Sequence, residues 1–346
     1  MIDRHYSCVI IQNYSPSVSY SINKNNRTNN YKISSLPCDT VSFQGHAGIE
    51  RYAKNGIDYL KHETAFFREA STDNFVKNFI KDNFAEKNKI KIVIGGCSTG
   101  EEAVTYSMLL DDMKNKVDIL GFDLSKTSIE QAKKRTYLFH KPNEKEKEEL
   151  ESMGVAAYRD SYLVFDSKKQ LTDDEKQNKV LFDKFFEKSD EIFENKKPLI
   201  ERFQDWLISK IYKEPPMAMQ KKLYKLKDGK ADNCKFIQGD IEDIRGIVGE
   251  KKADVILFRN AMYHLTTKEI GYEATRVPRK NSPTIVENIC KKMKDSLSDN
   301  GLLVFGKNEH SQMVDEETLP MVMIKLGFKP LNKPDNKHVT VWQKCS

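Results

Sequence analysis

The sequence predicts an α/β fold: an open, doubly wound, mostly parallel sheet of seven strands, ending in a C-terminal antiparallel hairpin and interrupted by a charged helical insertion. Three observations predict it. Short β-favouring apolar runs alternate with helical stretches, the pattern of crossover units in a parallel sheet. The run Ile90–Ile94 ends in Gly95-Gly96, with a helix-like stretch from about Gly100, giving a strand, a tight turn and a helix start in KIVIGGCSTGEE. The next run, Val117–Asp123, closes on an acid and leads into a further helical stretch.

The turn and the acid belong to one site. Glycine permits backbone angles that other residues resist and lets a ligand approach the main chain. Free N–H groups at the following helix start favour polar or anionic ligand groups. An acid roughly twenty residues after such a turn, at the end of the neighbouring strand, is placed to bind ribose hydroxyls. The dinucleotide fingerprint GxGxxG is absent, so a nucleoside without pyrophosphate fits better. S-adenosylmethionine (SAM) is the common ligand of that kind.

The remaining elements follow in order. Residues 1–47 carry the Asn- and Ser-rich tract NKNNRTNN and read as a low-complexity, disordered tail with at most a short strand at Ser7–Gln12. Residues 48–140 and 234–346 form the ligand-binding α/β domain. It opens with helical GIERYAKNGIDYL, then His62–Glu69, and a helix capped by Ser71-Thr72-Asp73 with Phe75, Phe79 and Phe84 on its apolar face. A helix from Glu101 to about Lys114 follows the glycine turn, and another spans Thr127–Lys134. Residues 141–233 carry twenty basic and twenty acidic residues with helical spacing around Phe182 and Trp206, a balance that suits a solvated cap or a substrate-recognition subdomain. Strands then resume at Cys234–Ile241, Ala253–Asn260 and Gly301–Gly306, with a helix at Ser282–Leu297. A helix around Leu319–Leu326 precedes the hairpin of Phe328–Leu331 and His338–Gln343.

Composition narrows the function. The net charge of +6 is small against 57 basic and 51 acidic residues and forms no concentrated basic stripe, which argues against nucleic-acid binding. No apolar run approaches the ~20 residues that span a bilayer, and the first residues lack a secretory pattern. Six scattered cysteines without a CxxC pair suit reduced thiols in a cytoplasm. The seven histidines show no metal-ligand spacing, so no metal is expected.

Several stretches, in order, resemble the CheR family, which methylates glutamate side chains of bacterial chemoreceptors. HETAFFRE (62–69) resembles its N-x-T-x-F-F-R-E element and GCSTGEE (96–102) its glycine motif. ILGFDLS (119–125) resembles its ribose-binding strand, FIQGDI (236–241) its third strand, FRNAM (258–262) its R-N-V-x motif and LLVFGKNEHS (302–311) its G-x-S-E-S end. The resemblance implies a Rossmann-like methyltransferase fold, SAM as cofactor and S-adenosylhomocysteine (SAH) as product. It implies a protein partner that presents glutamates, such as a chemoreceptor helix.

Residue by residue, the resemblance assigns Thr64 and Arg68 to the cofactor from the segment before the sheet. Gly96, Cys97, Ser98 and Glu101 or Glu102 would border the methionine moiety, and Asp123 would take both ribose hydroxyls. Asp240 and Ile241 would flank the adenine, with Asp240 where the family usually has Asn. Asn260 and Ala261 would line the methyl-transfer end. His62 stands in place of the family's Asn, and His264 in place of its Tyr, with Tyr263 one position earlier. The family's helical N-terminal docking domain has no counterpart beyond the low-complexity tail.

Each of these residues also has a plainer role. Asp123 could cap the helix near Thr127, Arg68 could pair on the surface with Glu69 or Asp73, and Phe66 and Phe67 read as packing. A carboxylate acceptor, already ionised with a pKa of about 4.3, needs no base. Arg68 would orient it, since guanidinium pairs with carboxylate in a fork. An amine or hydroxyl acceptor would be helped by a base, and His264 could supply one near neutral pH, while Tyr263 could stand in for the family's catalytic Tyr. Three readings follow: a protein-glutamate O-methyltransferase, a SAM enzyme of the same fold with another acceptor, and a SAM-binding regulatory module without catalysis.

Overall fold

The apolar runs read from the sequence form the centre of a seven-stranded sheet. The computed structural model describes residues 64–141, 161–165, 171–189, 220–270, 275–307, 309, 318–332 and 338–345. The expected tail over 1–47, the helix over 48–60 and His62 lie outside them.

In chain order the first elements are α1 (Ala70–Phe84), β1 (Ile90–Gly95), α2 (Glu101–Leu109), β2 (Val117–Asp123), α3 (Lys126–Lys134) and β3 (Thr136–Lys141). Then come α4 (Ser161–Val164), α5 (Asp173–Phe185), β4 (Phe186–Lys188), β5 (Gln220–Leu226), β6 (Cys234–Gln238), α6 (Ile244–Val248) and β7 (Ala253–Leu257). The last are α7 (Met262–Thr266), β8 (Thr267–Ile270), β9 (Thr275–Pro278), α8 (Ser282–Ser296), β10 (Leu297–Val304), α9 (Thr318–Lys325), β11 (Phe328–Asn332) and β12 (Val341–Lys344).

The main sheet has the order β11-β12-β10-β7-β1-β2-β6. β12 runs antiparallel to both of its neighbours, and every other pairing is parallel. The chain leaves β1 towards β2 and β6, then returns to the other side of β1 as β7. That reversal opens a crevice at the carboxyl ends of β1, β2 and β7, where open α/β sheets bind ligands.

Alternation along the strands explains the two cores. Ile92, Ile94, Val255 and Leu257 face one side, packed with Val76 and Ile80 of α1. Val93 and Ile256 face the other, against Val286, Ile289, Cys290 and Met293 of α8, one helical stripe. Pro283 lies in the first turn of α8, where a missing N–H costs nothing.

Several expectations for local structure are corrected. The strands expected over Cys234–Ile241 and Ala253–Asn260 end at Gln238 and Leu257, and the stretch 141–233, expected to be helical, contains the strands β4 and β5. The helix after the glycine turn ends at Leu109 instead of Lys114, and the Asp111–Met113 turn tightens to a 3-10 helix. Thr72 and Asp73 are not caps but buried residues within α1, whose Ncap Glu69 makes no side-chain cap bond. The final strand begins at Val341, not His338.

Strands β3, β5 and β4 form a separate antiparallel sheet in the order β3-β5-β4. Helix α5 enters it through a capping box, in which Thr172 accepts from the Glu175 N–H and Glu175 accepts from the Thr172 N–H. The rings of this unit close around Phe66, which has Tyr137 at 5.0 Å, Phe186 at 5.3 Å, Phe139 at 5.9 Å and Phe182 at 6.0 Å. Phe66 is 2% exposed. The reading of Phe66 and Phe67 as packing residues therefore holds, and the small sheet and main sheet share one core.

Truncating Phe66 empties the middle of this ring cluster. Phe66→Ala is expected to cost about 3–5 kcal/mol of stability, read from the denaturant midpoint. A cost below ~1 kcal/mol would mean that the cluster closes without it.

Candidate active site

Turns at the strand ends build the site. Beyond β1 the chain turns through Gly96 at φ 65° and Ser98 at φ 49°, and Gly100 at φ 93° precedes α2. A Cβ on Gly96 would stand 3.2 Å from that of Ala261, so this turn and the one after β7 pack with little room between them. Phe67 at φ 50° and Asn260 at φ 54° also adopt left-handed backbone. Two of these non-glycine residues, Ser98 and Asn260, line one crevice, and Phe67 directly precedes Arg68, which lines it too, a pattern found where surrounding structure fixes a functional site. Gly306 allows the last of these turns, since a Cβ there would lie 2.2 Å from Asn260 Oδ1.

The crevice is open to solvent and lined by Thr64, Arg68, Gly96, Ser98, Glu102, Asp123, Arg259, Asn260, Ala261 and His264. Nine of these ten were singled out from the sequence, in four separate segments. Asp123 does not cap α3, a role taken by Ser125, whose Oγ accepts from the Ser128 N–H at 3.2 Å. Its two oxygens accept from the Ser98 and Ser125 N–H groups, both at 2.8 Å, which fixes the carboxylate at the end of β2 and leaves each oxygen further acceptor capacity.

The adjacent glutamates separate. Glu102 faces the cavity and accepts from Arg259 Nε at 2.7 Å. Glu101 turns away, bonded by Thr99 Oγ1 at 2.8 and 2.7 Å, and burial pushes its carboxyl up to about 7. Burial raises Glu102 as well, opposed most strongly by the Arg259 charge.

Five expected site residues lie outside the lining. Cys97 is buried beneath the turn, where burial and then the nearby Asp123 carboxylate hold its thiol protonated. Ile241 belongs to the core, and the exposed Asp240 accepts from the Glu242 N–H at 2.9 Å. Tyr263 packs into the core with its ring centroid 3.9 Å from that of His264, and it is His264 that reaches the cavity. Glu101 is the fifth.

Arg68 makes none of the surface pairs open to it from sequence. Asp73 instead meets Arg259 Nη1 at 2.9 Å and accepts from Tyr106 Oη at 3.0 Å. Sequence reasoning missed Arg259, although the residue lies inside the quoted FRNAM stretch. It also missed Glu309, inside KNEHS. This fully buried acid accepts from the N–H groups of Ala261 at 2.5 Å, Met262 at 3.2 Å and Tyr263 at 3.3 Å, and burial pushes it up to about 7.

SAM carries a carboxylate, an ammonium, a sulfonium and two ribose hydroxyls, and the lining offers matching groups. Arg68 Nε and Asn260 Oδ1 are buried with no hydrogen-bond partner among the described residues, one donor and one acceptor. Glu102 and Asp123 supply two carboxylates to a cationic ligand. No group of three metal-ligating side chains occurs among the described residues, and no helix among them is long and apolar enough to cross a membrane.

Fold and site define the class: an open, mostly parallel α/β sheet with a crevice at its strand ends that suits SAM. Residues 62–195 match the family model of the CheR methyltransferase SAM-binding domain, which supports SAM as the cofactor. No curated protein matches the sequence. Among solved structures, the DszA carbon methyltransferase is similar at 11% identity and a TM-score of 0.37, covering 81% of this chain and 55% of its own. The CurJ carbon methyltransferase gives 12% and 0.37, covering 86% and 66%. The plantazolicin methyltransferase BamL, solved with a triazolic desmethylPZN analog and SAH, gives 12% and 0.37, covering 83% and 74%. The chain thus spans between about half and two thirds of the first two relatives.

The raised carboxyls make stability depend on pH. Glu101 binds its proton more tightly folded, near 7, than unfolded, near 4.5. The native state therefore holds the extra proton between these values, and stability falls as pH rises through that window. Glu101→Gln removes this loss, so its stability relative to the unsubstituted chain should rise from pH 5 to pH 8 in urea unfolding. An equal difference at both pH values would contradict the assignment.

Proposed function

We propose that this chain transfers the methyl group of SAM to a carboxylate of a protein glutamate, forming an O-methyl ester. The observation that carries the reading is convergence. Thr64 and Arg68, Gly96 and Ser98, Asp123, and Asn260 and Ala261 come from four distant segments that match the CheR pattern, and all line one cavity.

When bound, SAM supplies an electrophilic methyl group on a sulfonium. Asp123 accepts the ribose hydroxyls, and Glu102 accepts the amino group of the methionine end. Arg68 pairs with the acceptor carboxylate, turning one oxygen towards the methyl carbon and partly replacing its water. Asn260 and Ala261 border the transfer. Displacement requires alignment of oxygen, carbon and sulfur, and holding reactants in line accounts for much of the rate in such reactions. No proton moves. The stretch 141–233 would recognise the acceptor, and a glutamate-bearing helix of a chemoreceptor-like protein is the partner the resemblance favours. Residues 48–140 and 234–346 would hold the cofactor.

A second reading rests on His264, which lines the cavity while Tyr263 is turned into the core. An amine or hydroxyl acceptor would use it as a base, and the rate would then rise through about pH 6–7, the ordinary histidine range. A carboxylate acceptor predicts a nearly flat profile from about pH 6 to 8. The methylated product discriminates independently: base-labile release of methanol is expected of an ester, whereas a base-stable product would refute carboxyl methylation.

Cofactor binding is tested separately. Asp123→Ala should weaken SAH by about 1–3 kcal/mol, the usual cost of a lost charged hydrogen-bond partner. Unchanged affinity by calorimetry would remove Asp123 from the site.

A further inference from the structure

Arg259 follows β7 with its side chain 1% exposed, yet it lines the cavity. It ties three elements together: Nε donates to Glu102 Oε1 of α2 at 2.7 Å, Nη1 lies 2.9 Å from Asp73 Oδ1 of α1, and the turn after β7 carries Arg259 itself. Tyr106 Oη donates to the same Asp73 oxygen at 3.0 Å, which leaves the arginine a fixed partner and not a mobile one. Arg259 takes one Glu102 oxygen, and among the described residues no protein donor reaches the other.

We infer that Arg259 is a positioning residue for the amino-acid end of the cofactor, holding Glu102 charged and aimed so that its second oxygen accepts the α-ammonium. This rests on the reading of the cavity as the SAM site. The physical need is specific. A buried carboxyl beside Asp73 favours its neutral form, and a neutral carboxyl attracts an ammonium weakly. A cation fixed behind Glu102 opposes that protonation, and the Nε donor of its planar guanidinium also orients the carboxylate. Lysine would supply the charge without the fork. The influence is confined to one end of the ligand, because the ribose acid Asp123 is held by the Ser98 and Ser125 N–H groups and not by Arg259.

The test compares two ligands on the intact chain by calorimetry: SAH, which has the amino-acid end, and 5′-methylthioadenosine, which lacks it. Arg259→Gln should weaken SAH by roughly 10- to 100-fold, the range for a charged hydrogen bond, and change methylthioadenosine by less than about 3-fold. Glu102→Gln should give the same selective loss, and the double substitution should add little to either single one, as expected for residues acting as a unit. Arg259→Lys should recover part of the SAH affinity. Because Arg259→Gln leaves Asp73 buried without its cation, the same comparison is made with Asp73→Asn added, which removes that charge. Equal losses for both ligands, or additive losses in the double variant, would overturn the positioning role and leave a structural one. Unchanged SAH affinity in Arg259→Gln would overturn it as well. If the unsubstituted chain binds methylthioadenosine and SAH equally, the amino-acid end has no site at Glu102 and this inference fails while adenosine recognition stands. If it binds neither, the SAM reading of the cavity fails, and this inference with it.

Discussion

Arg259 carries a charge on a side chain only 1% exposed, and the packing around the cavity answers to it. Asp73 from α1 and Glu102 from α2 approach it from two sides, and its own backbone leaves the end of β7. Breaking such a pair by removing one partner typically costs about 3–5 kcal/mol, because the remaining charge stays buried. The three elements are therefore locked in relative position by one side chain. A well-packed apolar replacement of the whole set could be as stable. What it would lose is a fixed carboxylate at the cavity wall.

The same economy of charge recurs around the site. Glu309 holds the first N–H groups of α7, so the turn bearing Asn260 and Ala261 is anchored by an acid and not by solvent. Asp123 is held by two backbone donors at the end of β2. Phe66 fastens the Thr64–Arg68 segment into the aromatic cluster of the small sheet. Each ligand-facing turn thus has its own buried anchor, which is how left-handed backbone at Phe67, Ser98 and Asn260 persists.

Much of this was legible in the sequence. Apolar runs with abrupt polar ends gave β1 and β2 nearly to the residue and the start of β7, because fully buried parallel strands admit few polar positions. Asp123 and the glycine turn could be paired because chain direction alone puts successive strand ends side by side. What sequence could not resolve were rotations. Neighbouring residues on a helix point about 100° apart, so whether Glu101 or Glu102, or Tyr263 or His264, faces the cavity depends on packing that no local pattern records. Asp73 was read as a cap for the same reason: its composition suits a helix start, and only a partner 186 positions away in the chain, at Arg259, turns it inward. Arg259 and Glu309 lay within recognised motifs but gave no signal of burial, since an isolated charge in an apolar stretch reads equally well as a surface residue.

The most direct measurement is a crystal structure of the chain grown with SAH. The ribose hydroxyls should meet the Asp123 carboxylate, and the amino group should meet the Glu102 oxygen that Arg259 leaves open. Electron density for the ligand outside this cavity, or inside it with the adenine against Glu102, would contradict the assignment of the site.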